Sequence, residues 1–191
     1  MRMDTLEKML AEVTQKQTFG KPERKLGSYE ENPVGLSQKV AEQIGHQLDR
    51  HQASLFVLFH QYQKHHWLVE GPHWHDLHLY LEQSYNQIHA DLDVLAERLT
   101  ALGGIPSSGP SALLKAAYIE HEPEGFYPIR QSLQNSLAAE KLIAQALRAS
   151  ISEVQKHGDF TTEQLLKATL VNVEDRAHHL DHYLAGDNLY D

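Results

Sequence analysis

A chain of 191 residues, 41% apolar and 23% charged, is long enough to bury a core of its own and reads as one globular domain. No apolar run approaches the length of a membrane span, and the opening MRMDTLEKMLAEV lacks the apolar stretch of a secretory signal, so a cytoplasmic location is expected. The absence of cysteine excludes disulfides and thiolate metal sites, and a net charge of −9 argues against a general nucleic-acid-binding face.

Residues 1–34 differ in character from the rest of the chain. Leu6, Met9, Leu10 and Val13 are spaced for a short amphipathic helix, after which Gly20, Pro22, Gly27 and Pro33 interrupt any regular pattern. Six basic residues are matched by six acidic ones. That balance describes a partly ordered, solvated tail better than a DNA-binding arm.

From Leu36 onward the periodicity is helical. Leu36, Val40, Ile44, Leu48, Leu55, Phe59 and Tyr62 mark a first long helix reaching about His66, ended by Gly71-Pro72. A second stripe runs from Trp74 through Leu77, Leu81, Tyr85, Ile88, Leu92, Leu95 and Leu99 to Leu102, stopped by Gly103-Gly104. A long connection to about Tyr127 carries SALLKAAY, a candidate short helix. The third stripe runs from Ile129 through Glu140 to Val154. The fourth runs from Leu166 to Leu184, with Thr161 or Thr162 as the expected cap. No strand pattern appears. Residues 35–186 therefore read as an all-α, four-helix domain with one long crossover between helices two and three, the connectivity of a ferritin-like bundle, with a short tail at 187–191.

Fourteen histidines are present, seven of them between His60 and His89. His66 extends the buried face of the first helix one turn beyond Tyr62. On the second helix His78 and Glu82 are four residues apart, and Asp93 and Glu97 repeat the step. At about 100° per residue the four project at about 0°, 40°, 60° and 100°, one strip beside the leucine stripe. Imidazole with carboxylate suits iron, zinc, copper or manganese. Yet fifteen residues separate His78 from Asp93, about 22 Å along a helix axis, against metal–ligand bonds of about 2 Å. One chain cannot close the site. Either there are two half-sites, or an antiparallel second copy related by a two-fold axis supplies Asp93 and Glu97 to the first copy's His66, His78 and Glu82. The opposing reading leaves Asp93 and Glu97 solvated or paired with Arg98 and Arg50.

The pattern H-x11-H-x3-E-x10-D-x3-E from His66 to Glu97 resembles the ferroxidase centre of the Dps family of mini-ferritins. His66-Trp67 before Gly71-Pro72, Leu77-His78, and LDVLAERLTALGG at 92–104 extend the likeness, which covers roughly residues 40–186. The resemblance implies a dodecameric shell built from two-fold dimers. In each dimer His66, His78 and Glu82 of one subunit meet Asp93 and Glu97 of the other. There iron(II) is oxidised by hydrogen peroxide or oxygen and stored as ferric oxyhydroxide, which limits oxidative damage. It also implies that Asp159 and Glu163 line three-fold pores, against the plainer reading that they cap a helix. Trp67 is either ordinary packing or an interceptor of stray oxidants.

The chain departs from the family pattern in having Glu82 where aspartate is usual, and Leu79 and Gln83 in place of nearby carboxylates. Most of the surplus histidines, His65 among them, are expected at the surface. They nonetheless invite zinc, as a competitor or through His75 and His89 as an enlargement of the site. Two alternatives stand beside iron oxidation: a DNA-compacting protein with secondary metal chemistry, and a zinc-binding bundle without redox turnover.

Overall fold

The computed structural model describes residues 6–10 and 18–186. After a helical turn at 6–10 come α1 (Gln38–Leu68), α2 (Trp74–Ala101), the short α3 (Pro110–Ala116), α4 (Ile129–Lys156) and α5 (Phe160–Leu184), and there is no strand among the described residues. Each long helix turns its apolar stripe inward. Ile44, Leu48, Leu55, Leu58 and Tyr62 meet Leu81, Ile88, Leu95 and Leu99, with Leu133, Ile143 and Leu147 opposite Leu166, Val173 and Leu180. Removing each such side chain from water contributes roughly 1.5–3 kcal/mol.

Short links fold the helices into two hairpins, α1 along α2 and α4 along α5; α1–α4 and α2–α5 contacts close the bundle, and α3 lies on α1. His65 near the end of α1 touches Ser136 near the start of α4, whereas Arg98 at the end of α2 touches Asp159 before α5. So α2 and α4 run parallel, and the connection between them must travel the length of the bundle. Three anchors hold it to α1. Asp49 takes the Ser107 backbone N–H (2.7 Å) and hydroxyl (2.8 Å), Ser54 Oγ takes the Tyr118 N–H (3.0 Å), and Gln61 takes the Glu122 N–H (3.1 Å).

The cap of α5 is not Thr161 or Thr162 but Asp159, whose carboxylate accepts from the Thr162 N–H at 3.0 Å. Gly158 ends α4 with φ 69°, so the next helix can start at once and the first available oxygen caps it.

Residues 18–36 are not a free tail. Arg24 donates to the Gly103 carbonyl and pairs with Glu30 at 2.6 Å, and the Glu30 N–H reaches the same carbonyl at 3.1 Å. Tyr29 lies over Gly45, Leu99 and Gly104, where any side chain at either glycine would meet its ring. Burial, with Asp49 and Glu42 nearby, raises the Tyr29 hydroxyl to about pKa 12. At Gly103 φ is +84° and a Cβ would overlap the Glu30 carbonyl oxygen, so glycine is required there twice over. Of the amphipathic stretch read at 6–13, residues 6–10 are helical and Val13 lies outside the described residues.

A polar network crosses the middle of the bundle. Arg176 is 2% exposed and Glu140 0%; Arg176 Nε donates to Glu140 Oε1 at 2.6 Å, and Tyr62 Oη donates to the same oxygen at 2.8 Å. Arg176 also reaches Gln87 (2.8 Å) and Asp91 (3.4 Å), and Asn172 closes on Asp91 at 2.7 Å. Burial raises the pKa of the Glu140 carboxyl, with Arg176 and the Tyr62 hydrogen bond opposing. Ferritin-like di-iron proteins place carboxylate–histidine ligands in the bundle core. Here an arginine–carboxylate network occupies the middle of the bundle instead.

Candidate metal centre

His66, in the last turn of α1, and His78, in the second turn of α2, are brought together by the five-residue link between their helices. Their rings stack with centroids 3.8 Å apart and planes 24° from parallel. His66 Nδ1 lies 3.0 Å from the His78 carbonyl oxygen, and His78 Nδ1 lies 3.1 Å from the His66 carbonyl oxygen. A carbonyl only accepts, so both Nδ1 atoms carry protons. Both Nε2 lone pairs are therefore left for another partner, which is how metal-binding imidazoles are commonly oriented. The His66 carbonyl belongs to the last turn of α1, where helical partners run out, so this exchange also caps the helix. Trp74 stacks on His78 at 5.0 Å and Tyr85 stands edge-on to His66 at 5.4 Å, clamping the pair.

Glu82 is half-buried one turn beyond His78. Asp93 and Glu97 lie at the far end of α2, exposed, and among the described residues no hydrogen bond or ion pair reaches their carboxylates. The arginines weighed as partners are engaged otherwise. Arg98 pairs with Asp159 at 2.8 Å, and Arg50 sits over the Tyr118 ring at 5.6 Å. Among the described residues no three histidine or carboxylate side chains converge on a common point. One chain thus presents two imidazoles at one end of α2 and two unpaired carboxylates at the other.

Trp67, beside His66, is 67% exposed and lies with Phe56, His60, Leu68, Leu114 and Phe126 around a groove of about 740 Å³. Leu68, Leu114 and Phe126 are exposed as well.

The surplus histidines divide. His75 and His89 are exposed and touch Trp74 and Phe59, not the stacked pair. His65, expected at the surface, is buried instead, with Nε2 2.8 Å from Glu122 and Nδ1 3.1 Å from Ser136. Burial lowers its pKa, with Glu122 opposing. Lys64 (2.9 Å) and Asn135 (2.6 Å) complete the shell of Glu122, so this histidine pins the crossover. Glu122 carries no periodic signal, because it sits in an irregular segment. His51 is also buried, between Tyr118 and Ser150 at 2.8 Å each.

Asp159 is 4% exposed, and its carboxylate is committed to Thr162 and Arg98. Glu163 is buried and paired with Lys167 at 2.5 Å. A pore role for either requires a neighbouring subunit to loosen those pairs.

The chain has relatives among known proteins. The ferritin-like domain family matches residues 45–189. The chain is 41% identical over 149 residues to a DNA protection during starvation protein of Halobacterium salinarum, covering 78% of this chain and 82% of that one. It is 37% identical over 163 residues to a nutrient stress-induced DNA-binding protein of Nostoc, covering 85% and 89%. The crystal structure of an archaeal Dps homologue from Halobacterium salinarum superposes with a TM-score of 0.87 at 36% identity, over 90% of this chain and 96% of the other. DpsC from Streptomyces coelicolor superposes with the same score at 25% identity, over 90% and 100%.

Proposed function

The chain belongs to the Dps family of ferritin-like proteins, and on that premise we propose that it oxidises iron(II) at centres shared between two subunits. The observation that carries this reading is the stacked His66–His78 pair, with both Nδ1 protons spent on backbone carbonyls, set about 22 Å from the unpaired Asp93 and Glu97 on the same helix. A two-fold partner with α2 antiparallel brings each half to the other and makes two equivalent centres per pair. The apolar groove around Trp67 is the face such a partner covers, and six pairs assemble the dodecamer.

Iron(II) is the substrate. His66 and His78 offer Nε2 lone pairs that hold the reduced ion, while Glu82 with the partner subunit's Asp93 and Glu97 supplies hard oxygen donors that favour the oxidised one. Two iron(II) ions release one electron each, and hydrogen peroxide accepts both with two protons to leave two waters. Removing peroxide and iron(II) together limits radical damage, and the ferric product is stored in the shell. Glu82 is one methylene longer than the usual aspartate and reaches further from α2, which allows wider metal spacing. Trp67, next to His66 in sequence and exposed, serves either as interface packing or as an acceptor of stray oxidising equivalents. Zinc competes for the same donors. The reading carries a cytoplasmic location with it; no described helix is long and apolar enough to cross a membrane.

The test is stopped-flow oxidation of anaerobically loaded iron(II), mixed separately with peroxide and with oxygen. Oxidation well above the uncatalysed background, lost in His66→Ala and Glu97→Ala, supports the centre. A rate equal to background with both oxidants refutes it in favour of a metal-binding bundle without redox turnover. DNA compaction, which the relatives' names suggest, is opposed by the net charge of −9 and by the commitment of Arg24 to Glu30 and Gly103. Retardation of plasmid by the intact assembly at low salt would restore it.

A further inference from the structure

The histidines left unused by the iron centre are not scattered at random. Three lie on the last two turns of α5: His178, His179 and His182, all exposed. His178 and His182 face one another with ring centroids 4.2 Å apart and planes at 63°. His179 lies to the side: its ring is 6.1 Å from that of His178 and 5.9 Å from that of Tyr80, and its Nδ1 is 3.5 Å from Asp175.

We propose that His178 and His182 form a second metal site, a two-imidazole chelate for zinc(II) that shares no residue with the His66–His78 centre. Residues four apart on a helix stand one above the other, the spacing by which the two histidines of an H-E-x-x-H helix hold zinc. A zinc ion bonds imidazole nitrogen at about 2.0–2.1 Å; the two rings now touch edge to face at 4.2 Å, and as both are exposed they are free to rotate apart and turn a nitrogen each toward one ion. Imidazole selects zinc over magnesium and calcium, and iron(II) binds the same donors more weakly. Exposed Asp175 and Asp181 make the surroundings acidic, which draws in a cation. Arg130 answers the Leu184 carbonyl at 3.0 Å, one turn away, and is the cation this turn already holds.

Among the described residues no third histidine or carboxylate closes the shell. Two ligands leave the remaining positions to water, so the site exchanges its ion readily and is not a structural zinc. That distinguishes it from the iron centre, where a second subunit completes the donor set. It also gives the cluster a use that the helix does not require, since exposed histidines at these positions contribute nothing to the core.

The experiment is equilibrium dialysis of the metal-free, full-length protein against zinc chloride. It is run in a His66→Ala/His78→Ala background, so that the first centre's imidazoles do not contribute. Adding His178→Ala and His182→Ala to that background is expected to remove about one zinc per chain. Adding His179→Ala alone is expected to leave binding unchanged. Zinc uptake that is the same with and without His178 and His182 overturns the proposal. So does an equal loss on removing His179, which would mean that exposed imidazoles bind singly rather than as a chelate. Neither result depends on iron oxidation.

Discussion

Two chains, one carrying His66→Ala and the other Glu97→Ala, are expected to rescue each other when co-expressed. His78 and Asp93 are fifteen residues apart on an unbroken helix, about 22 Å at about 1.5 Å per residue, while a shared metal tolerates donors only about 2 Å away. On the proposed function each centre takes the histidine end of one α2 and the carboxylate end of another. In a pair of His66→Ala chains both centres lack a histidine, and in a pair of Glu97→Ala chains both lack a carboxylate. In a mixed pair one centre lacks both, and the other lacks neither. Random pairing of equal amounts makes about half of all pairs mixed, so about one quarter of the centres are intact. The assay is initial iron(II) oxidation by stopped flow, with native mass spectrometry to count mixed pairs. A rate near one quarter of the unsubstituted protein's is the expected result. Co-expressing His66→Ala with His78→Ala, both on the same half, is expected to restore nothing. Oxidation no greater than the mean of the two parents, in assemblies shown to be mixed, refutes the shared centre.

Arg176→Met strands Glu140 in the core, and removing one partner of a buried pair costs about 3–5 kcal/mol. At about 2–4 °C per kcal/mol for a chain of this size, thermal unfolding by circular dichroism drops roughly 6–20 °C. The stranded Glu140 takes a proton more readily than in the unfolded chain, so the loss is greatest at neutral pH and shrinks as pH falls toward the carboxylate range. A loss independent of pH would contradict that account. Burial, with Arg50 nearby, holds His51 neutral down to about pH 4, from an ordinary value of 6.5. Its contribution is complete above pH 6.5 and is lost as pH falls from there through 4, about 3 kcal/mol in all. His51→Gln is expected to flatten the stability profile over that window, and an unchanged slope would refute the assignment. Gly103→Ala meets both the positive φ and the Glu30 carbonyl, and is expected to cost more than about 1 kcal/mol and to lift residues 18–36 from the bundle. Faster trypsin cleavage at Arg24 and Lys25 would report it, and unchanged cleavage would argue against the docking.

Four long helices, their order, the crossover and its short helix are all legible in periodicity, because an amphipathic stripe repeating every three or four residues has one stable use in water. The histidine and carboxylate pairs are legible for a related reason: helical spacing converts residue number directly into direction and distance. That arithmetic alone leaves two choices, separate half-sites or a centre completed by a second subunit. Hidden from the sequence is everything that depends on residues far apart along the chain meeting at one point. The stacking of His66 on His78 and the donation of both Nδ1 protons arise from the turn angle of the α1–α2 link. The burial of His65 arises from Glu122, placed by an irregular segment with no period. Tyr29 docks because two glycines, Gly45 and Gly104, leave an opening that exists only once α1 and α2 are side by side, and Gly103 lets the Glu30 backbone approach beside it. Glu140 falls in an apolar stripe, but only the packed bundle shows that Arg176 answers it. Local pattern is a property of one element and survives in the string of residues. Polar pairing in the interior is decided by which elements come together, because a buried charge is tolerated only where tertiary packing delivers its partner.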